Sequence, residues 1–156
     1  MIGFLGLGTT LAFLDLAVKN QIENQDPGEF PRMMEGSKGK IRLYRNHNAG
    51  FSFGVLKERP DLVKLLPLCM TSAAAGIWAW LAGKKGNLIE KTAMTLILAG
   101  GASNLYDRQV RGYVVDYFSI QWKALKKVVF NLGDMFIFLG TALLVVSQMA
   151  GQFRRE

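Results

Sequence analysis

Long apolar runs alternate with polar, basic stretches along the chain, and the runs have lengths that matter for a bilayer. Ile2 to Val18 is apolar except for Asp15, and Leu62 to Ala82 carries only Lys64. Leu88 to Tyr106 is entered through Glu90 and Lys91, and Val128 to Ala150 carries only Asp134. A membrane-spanning helix needs about 20 apolar residues, with about 17 as the lower limit. The pattern therefore predicts transmembrane helices over 2–18, 62–82, 88–106 and 128–150. The first is expected to be a retained helix: no basic stretch precedes it and no small-x-small site closes it, as a cleaved signal segment would require. Gly100, Gly101, Ala102 and Ser103 end the third run with side chains small enough for close helix approach. Trp78 and Trp80 stand near the end of the second, where interfacial aromatics collect.

Residues 20–60 differ in kind. QIENQDPGEFPRMMEGSKGK is rich in turn formers and has no helical stripe. KIRLYRNHNAGFSFGVL alternates in part, through Ile41 and Leu43 and later Phe51, Phe53 and Val55. It predicts short strands around a turn at Asn46–Gly50, with Asn48 and Gly50 suited to positive φ. The expected fold class is a mainly α membrane protein, a four-transmembrane-helix bundle with a small extramembrane β element, forming one domain over 1–156.

Charge and rare residues narrow the function. The net charge is +7, and the bases lie between apolar blocks, where anionic lipid head groups would meet them. No aromatic RNA motif or zinc-finger spacing is present, so nucleic acid is not an expected partner. Cys69 and His47 are each the only residue of their type, which excludes an internal disulfide and makes a poor case for a metal. The charge distribution opposes one topology. Four spans place both termini and the 83–87 turn on one side, with Lys84, Lys85, Arg154 and Arg155. The other side carries more bases, including Arg42, Arg45, Lys123, Lys126 and Lys127, and by the positive-inside rule would be cytoplasmic.

Candidate chemistry centres on Asp134. A carboxylate inside a span costs about 2.5–3.5 kcal/mol on insertion scales, so it marks a functional site by default. Asp116, in RGYVVDYF, lies just beyond the third run, and the 107–127 segment returns to the same membrane face. Two carboxylates in contact do not both ionise cheaply; they share a proton and can polarise a water. Asn104 and Asn131 stand near the same helix ends and could orient the acids or a substrate backbone. Asp107 and Arg108 read either as support for the acids or as a helix-end charge cluster. Asp15 and Lys19, four apart, read either as an ion pair anchoring the helix at the membrane edge or as a brace for a polar site. Paired acids at a membrane turn also suit a small four-helix proton-coupled carrier. A non-catalytic scaffold would leave the two Asn and two Asp without a chemical use.

At these residues the chain resembles the lipoprotein signal peptidases, the type II signal peptidases of bacteria. DLAVK (Asp15–Lys19), NAGFSFG (Asn48–Gly54), GGASNLYDR (Gly100–Arg108), GYVVDYF (Gly112–Phe118) and FNLGD (Phe130–Asp134) are similar to five family blocks and occur in the family's order. The resemblance implies an aspartic membrane endopeptidase that removes the signal peptide from a diacylglyceryl-modified prolipoprotein, with Asp116 and Asp134 as the catalytic dyad. It implies supporting or substrate-contacting roles for Asn48, Gly50, Asn104, Asp107, Arg108 and Asn131, and a first-helix pair in Asp15 and Lys19. It implies no metal or organic cofactor, and a monomer. It also implies a multi-pass location in the bacterial cytoplasmic (inner) membrane, termini inside and dyad toward the outer face, against the charge count. Three departures leave room for a divergent paralogue with another substrate: Gly133 in place of the usual Ala, at little expected cost, Tyr117 in place of Phe, and Phe51–Ser52 where two small residues are common.

Overall fold

A computed structural model describes residues 1–50, 56 and 58–153. It contains four long helices, α1 (Ile2–Glu23), α2 (Pro60–Ala82), α3 (Leu88–Tyr106) and α4 (Leu132–Phe153), and three strands, β1 (Arg32–Met33), β2 (Ile41–Asn48) and β3 (Val114–Ile120). Among the described residues three helical segments are long and apolar enough to cross a membrane: Ile2–Glu23, Pro60–Ala82 and Leu132–Ala150. They expose Phe13, Leu14, Leu66, Met70, Phe138 and Val146. An exposed apolar surface of that extent needs lipid around it. The expectation of four such segments is met by three. The fourth helix, α3, falls short because Glu90, Lys91 and Asn104 interrupt its apolar residues.

α3 is instead the centre of the bundle, packed against α1, α2 and α4. Small residues allow this. A Cβ built at Gly100 would run into the backbone carbonyl of Gly133, and one at Gly140 would stand 2.5 Å from the Ala93 carbonyl oxygen. The two helices therefore touch backbone to backbone. Trp78 is turned inward, donating from its indole N–H to Thr95 Oγ1 at 2.9 Å. Trp80 is exposed near the end of α2.

The strands form one antiparallel sheet in the order β1-β2-β3. β3 corrects the reading of 107–127 as a connecting segment. VVDYFSI is β-branched and aromatic at most positions, and it is buried because α1 covers it: Ile22 packs on Val115 and Tyr117. β2 runs straight through Asn46 to Asn48, so the expected turn begins only at Asn48. Neither Asn48 nor Gly50 has positive φ. Asn48 makes the turn with its side chain, accepting the Gly50 N–H at 3.1 Å. The expected strand positions Phe51, Phe53 and Val55 lie outside the described residues.

Two helix boundaries also move. α1 continues to Glu23, five residues past the predicted end. α4 starts at Leu132, because Phe130 is extended and pairs with Phe118, its N–H donating to the Phe118 carbonyl at 2.7 Å. This leaves Asp134 in the first turn of α4, shallower than the sequence pattern placed it.

Backbone contact between α3 and α4 gives a test. Gly100→Ala should cost about 1–3 kcal/mol, the usual penalty of overpacking. Gly76→Ala, at a helical glycine with nothing within 4 Å, should be neutral or stabilising. Unfolding in mixed micelles measures both.

Candidate active site

The local structure of the site begins at the N-terminus of α4. Asn131 precedes the helix and accepts the Asp134 N–H at 2.8 Å, while Asp134 Oδ2 accepts the Asn131 N–H at 3.2 Å. This reciprocal cap satisfies two helix-end donors and fixes the Asp134 carboxylate. The Asn131 side chain then reaches across to the sheet, donating from Nδ2 to Asp116 Oδ1 at 2.8 Å. One buried asparagine is thus bonded to both acids. Asp116 Oδ2 accepts from Asn48 Nδ2 at 3.1 Å, and Asp134 Oδ1 accepts from Asn104 Nδ2 at 2.9 Å. Three amides therefore hold two carboxylates, one on β3 and one on α4.

Behind them lies a buried cation. Lys19 is 0% exposed. Its Nζ stands 2.9 Å from Asp15 Oδ2 and 3.0 Å from Asp107 Oδ2, and donates to Asn104 Oδ1 at 2.8 Å and Ser103 Oγ at 3.2 Å. The Asp15–Lys19 pair is therefore a brace inside the protein and not an anchor at the membrane edge. Asp107 is not a loose helix-end charge either. It starts a π-helical turn, Asp107–Arg111, and its carboxylate accepts the Val115 N–H at 3.1 Å and pairs with Arg111 at 3.0 Å. Arg108 donates to the carbonyls of Asn104 and Gly50, each at 3.3 Å, tying α3 to the turn after β2.

All ten residues singled out from the sequence are thus accounted for in one connected region: Asp15, Lys19, Asn48, Gly50, Asn104, Asp107, Arg108, Asp116, Asn131 and Asp134. Sequence reasoning missed Ser103, whose hydroxyl donates to Asp15 Oδ2 at 2.6 Å, although it lies four residues before Asp107 on one helical face. It also missed the use of Tyr117. The Tyr117 hydroxyl donates to Asp15 Oδ1 at 3.0 Å and accepts the Leu132 N–H at 3.0 Å, so it joins β3 to α1 and α4. Burial, and then the charge of Asp15, push the phenol above its ordinary pKa, which keeps it a donor. Glycine at 133 also has a packing reason. A Cβ there would stand 2.9 Å from Asp15 Oδ2 and 3.0 Å from Asn131 Oδ1. Both unusual residues therefore meet at the Asp15 carboxylate.

The two acids open on a cavity of about 870 Å³. Its polar end is formed by Asn48, Gly50, Asn104, Arg108, Asp116 and Asp134, and its apolar end by Pro67, Met70, Ala74, Ile97, Ile137 and Phe138 from α2, α3 and α4. Burial, then repulsion from Asp134, push the Asp116 carboxyl up to about 7, although Asn48 and Asn131 favour its ionised form. An acid with that pKa holds a proton near neutrality beside a second carboxyl group. Such a pair can supply a general base and a general acid together. Among the described residues no group of His, Cys, Asp and Glu is arranged to hold a metal.

The convergence on Asp15 is testable by a double-mutant cycle. Gly133→Ala alone should destabilise, since the Asp15 carboxylate is tethered by Tyr117 and cannot retreat. Adding Tyr117→Phe releases one tether, so the double variant should lose less than the sum of the singles, by about 0.5 kcal/mol or more. Unfolding midpoints of the four proteins measure the coupling.

The profile of the signal peptidase (SPase) II family matches residues 7–150. Lipoprotein signal peptidases of Brucella ovis and Brucella melitensis biotype 1 are each 31% identical over 116 residues, 74% of this chain and 71% of theirs. The fold is similar to that of a bacterial membrane enzyme solved by the in meso method at 2.3 Å, with a TM-score of 0.84 at 18% identity over 100% of this chain and 93% of that one. A second such structure, at 1.9 Å, gives 0.77 at 18% identity over 95% and 93%. On the profile match and the identity to its relatives together, the chain belongs to the signal peptidase II family.

Proposed function

We propose that the protein is an aspartic endopeptidase of the membrane that removes the signal peptide from lipid-modified prolipoproteins, with Asp116 and Asp134 as its catalytic dyad. The observation that carries this reading is Asn131, hydrogen-bonded to both acids at the polar end of one cavity. In the proposed reaction one acid is ionised and the other protonated. The carboxylate takes a proton from a water whose oxygen bonds to the scissile carbonyl carbon, while the carboxylic acid protonates the carbonyl oxygen. Collapse of the tetrahedral intermediate breaks the C–N bond; the leaving nitrogen takes the proton first drawn from water, and one hydroxyl of the intermediate returns its proton to the other carboxylate, restoring the starting pair. The Asn48, Asn104 and Asn131 amides keep both carboxyl groups aimed through these steps, and Arg108 holds the Gly50 turn over them.

The cavity suits such a substrate. Its apolar end lies between α2, α3 and α4, where a signal helix or an acyl chain finds hydrocarbon-like walls, and the bond to be cut sits at its polar end. α3 completes a four-span bundle in this reading: its 19 residues give about 28 Å at 1.5 Å per residue, close to the hydrocarbon thickness of about 30 Å. Its polar residues Thr95, Ser103 and Asn104 are buried against the other elements, and Glu90 and Lys91 stand at its first turn. Both termini then lie on the cytoplasmic side and the sheet outside. Asp134 in the first turn of α4 favours a peptidase at the membrane boundary over a carrier with an acid at mid-span.

Asp116→Asn or Asp134→Asn should abolish cleavage of a diacylglyceryl-modified precursor in detergent, by about 10³-fold or more if the dyad supplies both base and acid, while the protein still inserts and unfolds normally. Full activity in either variant removes the dyad assignment.

The raised Asp116 pKa sets the sign of the pH dependence. The carboxyl is protonated below about 7 and ionised above, so the general acid is lost as pH rises. Log kcat/KM should therefore fall on the alkaline side of about pH 7; a flat profile to alkaline pH contradicts a protonated partner.

A further inference from the structure

The lysines at the far end of the sheet, away from the acids, have no role in this chemistry. There the turn between β1 and β2 meets the segment after β3: the Gln121 N–H donates to the Lys40 carbonyl at 2.8 Å, and Ser119 Oγ to the Lys126 carbonyl at 3.3 Å. Lys38 and Lys40 come from the turn, and Lys123 and Lys126 from the 3₁₀ helix Lys123–Lys127. Glu35 is the acid of that turn. None of these four lysines forms an ion pair with a described residue, whereas Arg32 and Arg45 on the same sheet are paired to Glu29 and Glu23. Beside them Trp122 is 62% exposed, with Lys123 Nζ 5.0 Å from its ring, and Met34 is 45% exposed.

Position decides what this surface meets. Lys127 is five residues before Leu132, where α4 and its apolar window begin. Five residues span at most about 18 Å, so the 3₁₀ helix that ends at Lys127 stays near the start of α4, and the Gln121–Lys40 bond holds the β1–β2 turn beside it. Unpaired ammonium groups beside an exposed Trp at that depth complement phosphate head groups and the interfacial layer beneath them. The charge count supplies a second reason. The sheet side carries more bases than the side holding the 83–87 turn, which works against the orientation proposed above; an excess kept at a cost to topology has another use.

We infer that this end of the sheet is a docking surface for anionic phospholipid, with Lys38, Lys40, Lys123 and Lys126 on the head-group phosphates and Trp122 seated at the interface. The contact presses the strand bearing Asp116 toward the membrane from the end opposite the acids. An anionic lipid environment is then part of the folded arrangement of the sheet, whichever substrate the cavity takes.

Fluorescence quenching in nanodiscs tests this without reading cleavage, so its failure is separate from any failure of the peptidase assignment. The full-length protein is placed in phosphatidylcholine alone or in equimolar phosphatidylcholine and phosphatidylglycerol, with bromine on one lipid at a time. The Trp122 signal is the difference from Trp122→Phe. Each lysine near an anionic surface strengthens association about fivefold. Trp122 should therefore be quenched by brominated phosphatidylglycerol well beyond its share of the lipid, and the preference should vanish near about 1 M salt, where the screening length is about 3 Å. Substituting Lys38, Lys40, Lys123 and Lys126 together by Gln should remove the preference, and Lys84→Gln with Lys85→Gln should not. Equal quenching by the two lipids in the wild type overturns the inference. So does a preference that survives high salt, or protection of Trp122 by RNA or an acidic peptide with no lipid preference. The salt series on the wild type decides the matter even if the fourfold variant does not fold.

Discussion

One ammonium group, that of Lys19, is enclosed where α1, α3 and the turn after α3 meet, with no path to water. Burying an unpaired charge costs several kcal/mol even after the surroundings relax, and attraction offsets this only when the geometry is complete. Asp15, Asp107, Ser103 and Asn104 complete it here. The partners then become fixed points for everything else. Asp15 accepts from Tyr117 and from the first backbone N–H of α4, and Asn104 turns its amide to Asp134. A buried cation thus sets the positions of the strand and the helix that carry Asp116 and Asp134.

The same constraint explains why the acids lie on different kinds of element. Asp134 is held by the N-terminal cap of a membrane helix and Asp116 by a strand of an extramembrane sheet. A hydrolytic site in a membrane has to face both phases. In the proposed chemistry water comes from the polar side and substrate from the apolar side, and the cavity is lined by both polar and apolar residues. The Asn131 side chain is bonded into both halves, donating to Asp116 and accepting the Asp134 N–H. The close α3–α4 approach, with glycine at 100, 133 and 140, keeps lipid out of that seam.

The helices were legible in the sequence because apolar run length is set by bilayer thickness, and the acids because a lone carboxylate in such a run needs a reason. The chain order of the motif blocks made the family legible as well. β3 was not legible, because VVDYFSI is short, apolar and tucked between basic stretches, and only its pairing with β2 and the cover of α1 make it a strand. The start of α4 was misplaced for a related reason: Val128 to Asn131 are as apolar as the helix that follows, and only the Phe118–Phe130 pairing reveals them as extended. Gly133 is instructive. Helix propensity alone makes Ala the better residue, but a Cβ there would press on the Asp15 carboxylate, itself held by Tyr117, and no local rule contains that contact.

Sharing of a proton between Asp116 and Asp134 is the claim on which the proposed chemistry rests. Infrared difference spectroscopy of the protein in lipid, comparing unlabelled with carboxyl-labelled aspartate, measures it directly. The account predicts one protonated aspartic acid band near neutral pH that titrates around 7 and disappears in Asp116→Asn or is displaced in Asp134→Asn. Absence of any protonated aspartic acid at pH about 6, about a unit below the pKa of Asp116, would contradict it.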